Sequence, residues 1–291
     1  MRFEKRILVA IKGSVGPEAV VERTRLIAGR LGAEVLLMAA SRSLGAAAEE
    51  HLAMARAALE QAGITVSVVP RQRRDLLTDL VLTARERECG LLIKAPDRPR
   101  GLDVVLPPRD WKLLRCSPCP VLMVRRSSSW VGAPLLVAID AAPGDAAHAG
   151  LNQKLLRLGG EIGRLGEMPL ELVSAYPAPM QSSDRLHQSA EEMARVYRAQ
   201  AEALCRAEAV QAVAIHIDEG PAETLIPQLA RERQPGLVVL GTVARRGLKA
   251  ALLGGNTAEA ILSRLAGDVL TLQPQGSDEV LELLADTDVS E

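Results

Sequence analysis

The chain has 291 residues, of which 48% are hydrophobic, and this is enough for about two domains with buried cores. Its formal net charge is -1 and its acidic and basic residues are interspersed, so we do not expect a nucleic acid as a partner. Four cysteines are too few for a disulfide framework, and no apolar run reaches the ~20 residues that span a bilayer. These features favour a cytoplasmic protein with no membrane span.

Segments of the first half recur in the same order in the second half. The segment ILVAIKGS at 7–14 matches LLVAIDAA at 135–142, and ARERECGLLI at 84–93 matches ARERQPGLVVL at 230–240. RLGAEVLLMAA from Arg30 matches RLGEMPLELVSA from Arg164, and CPVLMV from Cys119 matches GDVLTL from Gly267, again in the same order. Ordered recurrence predicts a duplication. We place the first domain at 1–130, the second at 131–275 and an acidic tail at 276–291.

Short apolar runs alternate with longer segments of helical period in both copies, which is typical of βαβ units around a parallel sheet. The predicted strands of the first copy are 6–12, 34–40, 64–69, 90–95 and 120–125. Those of the second copy are 134–140, 169–176, 212–218, 236–241 and 268–273. We therefore expect an α/β fold of two tandem five-stranded, doubly wound parallel sheets.

The helices between the strands are also visible in the composition. Ala46 to Gln61 and Ala190 to Ala207 are rich in strong helix formers. Another helix is predicted to open at Gly220, Pro221 and Ala222, with proline in its first turn. The serine-rich stretch from Ser127 to Gly132 is interpreted as a linker between the copies.

A glycine-rich loop follows the fourth strand of the second copy and leads into the last helix. Gly241 would let the chain turn off the strand, and Gly254 and Gly255 would let backbone amides approach a ligand. Asn256 or Thr257 would cap a helix whose free amides favour anions. The loop thus suits a phosphate group. The cations between its glycines either add charge to that site or form a solvated face; they are Arg245, Arg246 and Lys249.

Asp140 ends the first strand of the second copy, at the edge of a sheet where α/β proteins bind ligands. Its carboxylate has two interpretations. It either accepts hydrogen bonds from a ribose or an adenine amino group, or it caps the helix that follows.

The chain resembles tandem members of the universal stress protein family, and within them the E-type subgroup. The resemblance rests on GTV at 241–243 followed by GNTAE at 255–259, and on DWKLLRCSPCPVLMV from Asp110. The family's nucleotide-binding pattern is Gly, two residues, Gly, nine residues, Gly and then Ser or Thr. Here Ala244 stands at the second glycine, and either Gly255 or Asn256 stands at the hydroxyl position.

The resemblance implies a site for ATP or another adenine nucleotide in the second domain, with Mg²⁺ accompanying ATP. The implied binding residues are Asp140, Ala175, Gly241, Thr242, Ala244, Gly254, Gly255, Asn256 and Thr257. It also implies an internal pseudo-dimer that brings together the last strands of the two copies, since an uncovered edge strand promotes aggregation. A homodimer of the whole chain is left open.

The first copy departs from this pattern. Lys12 stands at the end of the first strand, where the second copy has Asp140. The segment after the fourth strand contains Pro96 and Pro99 but no glycine at the turn. Because proline lacks an amide donor, we expect no nucleotide to bind here in the family manner. Lys12 and Lys94 end neighbouring strands and form a candidate anion site. The alternative is that they pair with Asp97 or Asp103, or extend to water.

Cys116 and Cys119 form a CxxC motif, but it follows a predicted helix instead of opening one. No helix N-terminus would activate its thiols, so we expect neither redox chemistry nor a metal site.

Three classes of function remain. The first is a stress-response protein that binds a small ligand in the second domain, acts through a protein partner and catalyses at most weak ATP hydrolysis. The second is a ligand-free scaffold with both nucleotide sites lost. The third is an ATP pyrophosphatase, which ranks last because DAAPGDAA from Asp140 lacks the SGGxDS-type loop.

Overall fold

The computed structural model describes residues 5–12, 17–41, 46–97, 108–142, 146–178, 189–242 and 257–273, in which strands and helices alternate. The strands are β1 (Arg6–Ile11), β2 (Glu34–Ala39), β3 (Val66–Val68), β4 (Leu91–Lys94), β5 (Val121–Met123), β6 (Leu135–Ala138), β7 (Leu170–Tyr176), β8 (Ala214–Glu219), β9 (Leu237–Gly241) and β10 (Asp268–Leu272). The helices are α1 (Pro17–Leu31), α2 (Ala46–Gln61), α3 (Leu76–Glu86), α4 (Pro108–Cys116), α5 (Ala146–Gly166), α6 (Ala190–Ala207), α7 (Ala222–Arg233) and α8 (Thr257–Arg264). Each predicted strand is present, and the α/β class is confirmed.

Contacts divide the described residues into two compact units. Unit 1 comprises the described residues up to Ser127 together with β10, and unit 2 comprises those from Ser128 to Gly267. The boundaries expected from the sequence repeat remain a prediction, because they mark duplicated sequence and not contacts. None of the described helices combines the length and hydropathy needed to cross a bilayer.

The sheet of unit 1 is parallel from β1 to β5. Strand β1 lies between β2 and β4, β3 follows β2, and β5 follows β4. The central strands are buried on both faces, since Leu91, Leu92 and Ile93 of β4 are each 0% exposed. This burial explains why β1 and β4 are continuous apolar runs without polar alternation.

Strand β10 adds to the edge of unit 1 in the antiparallel direction, with Leu270 opposite Leu122 of β5. The expected pairing of the last strands of the two copies is therefore confirmed. A buried ion pair fixes β10, because the Arg23 Nε donates to the Asp268 Oδ2 at 3.0 Å and both side chains are at most 1% exposed. The other oxygen of Asp268 accepts from the backbone N–H groups of Arg125 and Arg126, at 2.7 and 3.0 Å.

The sheet of unit 2 repeats the strand order of unit 1 with four parallel strands. Strand β6 lies between β7 and β9, and β8 follows β7. Helix α6 begins at the residue predicted from its sequence, and the Ser189 hydroxyl caps it by accepting from the Glu192 N–H. Helix α7 differs from the prediction by one position, because Pro221 is its N-cap and does not lie in its first turn.

Candidate functional site

A cavity of about 390 Å³ lies in unit 2, at the carboxyl ends of β6, β7 and β9. Residues from strand ends and from three helices line it: Ala138, Ile139, Asp140, Leu151, Asn152, Leu155, Ala175, Ala222, Ile226, Leu240, Gly241, Thr257, Ala258 and Ile261. Four residues predicted from the sequence thus face one cavity, namely Asp140, Ala175, Gly241 and Thr257. The walls are mainly aliphatic, and the polar side chains are those of Asp140, Asn152 and Thr257.

Asn152 of α5 holds the end of β6. Its side-chain oxygen accepts from the Asp140 N–H at 3.1 Å, and its side-chain nitrogen donates to the Asp140 carbonyl at 2.6 Å. The buried Ser174 of β7 accepts from the Ala141 N–H at 3.0 Å. Both side chains bond to backbone groups just beyond the end of β6, so they fix the direction in which the chain leaves the sheet.

The Asp140 side chain is exposed, and its Oδ1 accepts from the Ala142 N–H at 3.1 Å. This bond closes a local turn. Helix α5 begins only at Ala146, so Asp140 is not its N-cap. The carboxylate therefore lies at the mouth of the cavity and orients the turn that leads to the helix.

Gly241 lies at a close approach between β9 and α5. A Cβ at this position would lie 2.6 Å from the Leu151 Cδ2 and 3.2 Å from its Cγ. The backbone of Gly241 is outside the left-handed region, so the sharp turn expected from the sequence does not explain glycine here. Close packing favours glycine instead, because the Leu151 side chain would have to shift for any larger residue.

Of the four predicted residues at the cavity, Thr257 is the first residue of α8. Thr242, which was also predicted, is buried just after β9 and does not line the cavity. The other four predicted residues, Ala244, Gly254, Gly255 and Asn256, lie outside the described part of the chain, as do the three loop cations.

Two helices begin at the cavity, since Ala222 and Thr257 are the first residues of α7 and α8 and both line it. The first amides of a helix have no partner within the helix, and the helix dipole adds partial positive charge there. In the described residues, no side chain caps α7, because its N-cap is Pro221. The cavity thus joins an aliphatic interior to the first turns of two helices.

Unit 1 has its own cavity, of about 520 Å³, at the carboxyl ends of β1, β2 and β4. It is lined by Lys12, Ala40, Ser41, Arg71, Arg74, Leu76, Leu77, Leu80, Lys94, Asp97, Asp110 and Leu113. The two lysines predicted to face one crevice both line it. The pairing proposed as their alternative also occurs, because the Lys12 Nζ lies 3.3 Å from the Asp97 Oδ1. Asp103 lies outside the described residues.

Lys94 and Asp110 form the buried floor of this cavity. They make a direct ion pair, and the second oxygen of Asp110 accepts from the Asp97 N–H at 2.8 Å. Burial raises the pKa of the Asp110 carboxyl, an effect that the Lys94 ammonium partly opposes. Burial also lowers the pKa of Arg125 to about 10, against the attraction of Asp110 and Asp268, so Arg125 is charged at neutral pH.

The CxxC motif begins at the last residue of α4 and ends before β5, so it closes a helix instead of opening one, as expected from the sequence. Cys116 is 1% exposed, and burial raises the pKa of its thiol. Within the described ranges, no cluster of three or more His, Cys, Asp or Glu side chains suits a metal ion.

Several residues that shape the two cavities were not identified from the sequence. Asn152 and Ser174 act through single long-range bonds to the backbone, and no spacing signals such bonds. Arg71 likewise contacts groups brought together by folding. For Asp110 the sequence offered one signal that could have identified it, namely an acidic residue in the first turn of a short helix.

Comparison with known proteins shows which family this chain resembles. The model of the Universal stress protein family matches residues 135–273. Universal stress protein E of Escherichia coli strain K12 is 35% identical over 187 residues, which cover 62% of this chain and 59% of that protein. The matched region therefore spans less than two thirds of the relative's length.

Solved structures match over nearly the whole chain. A protein of Pseudomonas aeruginosa UCBPP-PA14 assigned to the universal stress proteins is 31% identical, with a TM-score of 0.79 and 97% of both chains covered. A protein of unknown function from Pseudomonas aeruginosa PAO1 is 32% identical, with a TM-score of 0.77, and the match covers 99% of this chain and 98% of that one. The chain belongs to the universal stress protein family, and the resemblance to its E-type members is confirmed.

Proposed function

We propose that this protein is a cytoplasmic stress-response protein that binds ATP or another adenine nucleotide in the unit 2 cavity and acts through a protein partner. The main support is the convergence of Asp140, Ala175, Gly241 and Thr257, which come from four different elements, on one cavity at the carboxyl edge of the sheet. Ligands of open α/β sheets bind at this edge.

The lining suggests how the parts of a nucleotide would be held. An adenine base would pack against the aliphatic walls, including Leu155 and Ile226, and its ribose hydroxyls would donate to the Asp140 carboxylate. Phosphates would lie near the first turns of α7 and α8, where free amides favour anions. Mg²⁺, when it accompanies ATP, would neutralise part of the phosphate charge.

The test is a calorimetric titration of the full chain with ATP and Mg²⁺. We expect one site per chain. Asp140→Asn should weaken binding by about 1.4 kcal/mol, or tenfold, because it removes the carboxylate from the cavity mouth. Its matched control is Glu202→Gln on the exposed face of α6, which removes a carboxylate that does not line the cavity and should leave the Kd unchanged.

A second variant tests the predicted phosphate loop. Replacing Gly254 and Gly255 together by Val adds branched side chains where backbone amides are expected to approach phosphate, and it should also weaken ATP binding at least about tenfold. If the parent protein binds no ATP at millimolar concentration, nucleotide binding is wrong and the scaffold alternative replaces it.

A further inference from the structure

Among the residues that the structure describes, the lining of the unit 1 cavity has more positive than negative charge. Four of these residues are cations, Lys12, Lys94, Arg71 and Arg74, and two are carboxylates, Asp97 and Asp110. Asp79, which is buried outside this lining, pairs with Arg71 at 2.8 Å. Within the described lining, these pairings leave an excess of one cation.

Arg71 is a structural cation with little freedom to bind a ligand. Its guanidinium contacts Asp79 and donates to the carbonyl of Ala40 at 2.9 Å and to those of Arg73 and Arg74 at 3.1 and 3.0 Å. These bonds tie the segment before α3 to the end of β2. Arg71 therefore positions the backbone from which the Arg74 side chain extends.

Arg74 is the cation with no counter-ion within the part of the chain that the structure describes, and it is exposed at the cavity. Just after it, Asp75 caps α3 by accepting from the Thr78 N–H at 2.8 Å. Arg74 thus sits between a segment held by Arg71 and a capped helix, so its backbone position is defined on both sides.

Lys12 is the second available cation. Its bond to Asp97 joins side chains that are 38% and 29% exposed, and ion pairs this exposed to water contribute only about 0 to 1 kcal/mol. A ligand that carries a stronger charge than one carboxylate can displace Asp97. Lys94 cannot exchange its carboxylate partner for a ligand in the same way, because its ion pair with Asp110 is buried.

Part of the cavity lining is aliphatic. Leu76, Leu77 and Leu80 of α3 and Leu113 of α4 line it. A ligand for this cavity therefore combines an apolar body with an anionic group of more than one charge. Phosphate monoesters satisfy both requirements, since they carry two charges and accept several hydrogen bonds near neutral pH.

We propose that the unit 1 cavity binds a phosphate monoester with an apolar body, and that Lys12 and Arg74 hold its phosphate. This site is distinct from the nucleotide site proposed in unit 2, because no residue in the described ranges lines both cavities.

The test uses phenyl phosphate as the probe and phenol as its uncharged counterpart. Both are titrated into the full chain with ¹³C-labelled leucine methyl groups and followed by NMR. Leu76, Leu77, Leu80 and Leu113 report on unit 1, while Leu151, Leu155 and Leu240 report on unit 2. We expect phenyl phosphate to shift the unit 1 leucines with a Kd below about 1 mM, and phenol to bind at least about tenfold more weakly.

The variant pair Lys12→Ala with Arg74→Ala should raise the Kd for phenyl phosphate at least about tenfold, since it removes the charges that meet the phosphate. Its matched control is Arg30→Ala with Arg56→Ala, which removes two cations from helices outside the cavity lining and should leave the Kd unchanged. The proposal is overturned if phenyl phosphate shifts only unit 2 leucines, if phenol binds equally well, or if the first pair of substitutions has no more effect than the control. ATP binding in unit 2 is tested separately by the titration with ATP, so a failure of this proposal leaves the nucleotide proposal standing.

Discussion

The first strand of each unit is followed by a charge of opposite sign, Lys12 in unit 1 and Asp140 in unit 2. The matching ends of the fourth strands differ as well, because Lys94 in β4 corresponds to Leu240 in β9 by the repeat. The strand order around these positions is the same in both units. One architecture thus supports two chemically different cavities, and the difference arises from side chains placed just beyond the strand ends.

The buried charges are distributed differently too. In unit 1 the buried pair Lys94 and Asp110 lies on the cavity floor. In unit 2 the buried Glu171 lies near the amino end of β7, at the opposite edge from the cavity, where it accepts from Arg233 and contacts His216 at 2.8 Å. Unit 1 therefore has one of its buried ion pairs at its cavity, whereas in unit 2 the buried Glu171 is separated from the cavity.

The largest expected effect follows from this contrast. Lys94→Met leaves Asp110 buried without its cation, and it should lower the free energy of unfolding by about 3 to 5 kcal/mol at pH 7. The matching change in unit 2, Leu240→Met, conserves volume and should cost less than about 1.5 kcal/mol. Denaturant unfolding measures both.

A combined variant checks the cause of that loss. Replacing Asp110 by Leu together with Lys94→Met removes both charges and should recover part of the lost stability. Equal losses in the free energy of unfolding for Lys94→Met and Leu240→Met would instead mean that Asp110 does not need the Lys94 cation for stability.

An intermediate loss in the free energy of unfolding is expected for Glu171→Gln, and this loss should depend on pH. Burial alone would raise the pKa of Glu171, but its hydrogen bonds from Arg233 and His216 outweigh burial and lower it. A carboxyl with a lowered pKa in the folded state stabilises the protein above its ordinary value of 4.5, and this contribution is lost as the pH falls through the folded value.

We therefore expect Glu171→Gln to lower the free energy of unfolding by about 1 to 3 kcal/mol at pH 7, with a difference that shrinks in acid. A pH series of unfolding curves measures this, with Glu202→Gln as the exposed control. Because Glu171 lies away from the cavity, ATP binding should stay the same. A parallel loss of ATP binding would contradict the separation proposed for unit 2.

The smallest effect is expected for Lys12→Ala when ATP is the ligand. Lys12 lines only the unit 1 cavity, so calorimetry should show an unchanged Kd for ATP. Abolished ATP binding in this variant would mean that the nucleotide was assigned to the wrong unit.

The fold was largely predictable because its signals are local. The bounds of α2 and α6 coincide with the ranges expected from helix formers, and the buried strands appear as short aliphatic runs. The placing of Asp140 and Gly241 at one cavity followed from the rule that parallel strands end at one edge, whereas Ala175 was implied only by the family resemblance. The clamp by Asn152 and the anchoring by Arg71 could not be predicted, since each depends on the rotation of a helix or the path of a loop after folding.

Strand β10 has a consequence for synthesis of the chain. Arg23 and Asp268 are 245 positions apart, yet they form the buried ion pair that completes the edge of unit 1. At about 5 to 20 residues per second, a ribosome needs roughly 12 to 50 s to pass from one to the other. During that interval the nascent unit 1 lacks β10 beside β5, and Arg23 lacks its ion pair with Asp268. We therefore expect the amino-terminal half to become resistant to protease only after β10 has left the exit tunnel.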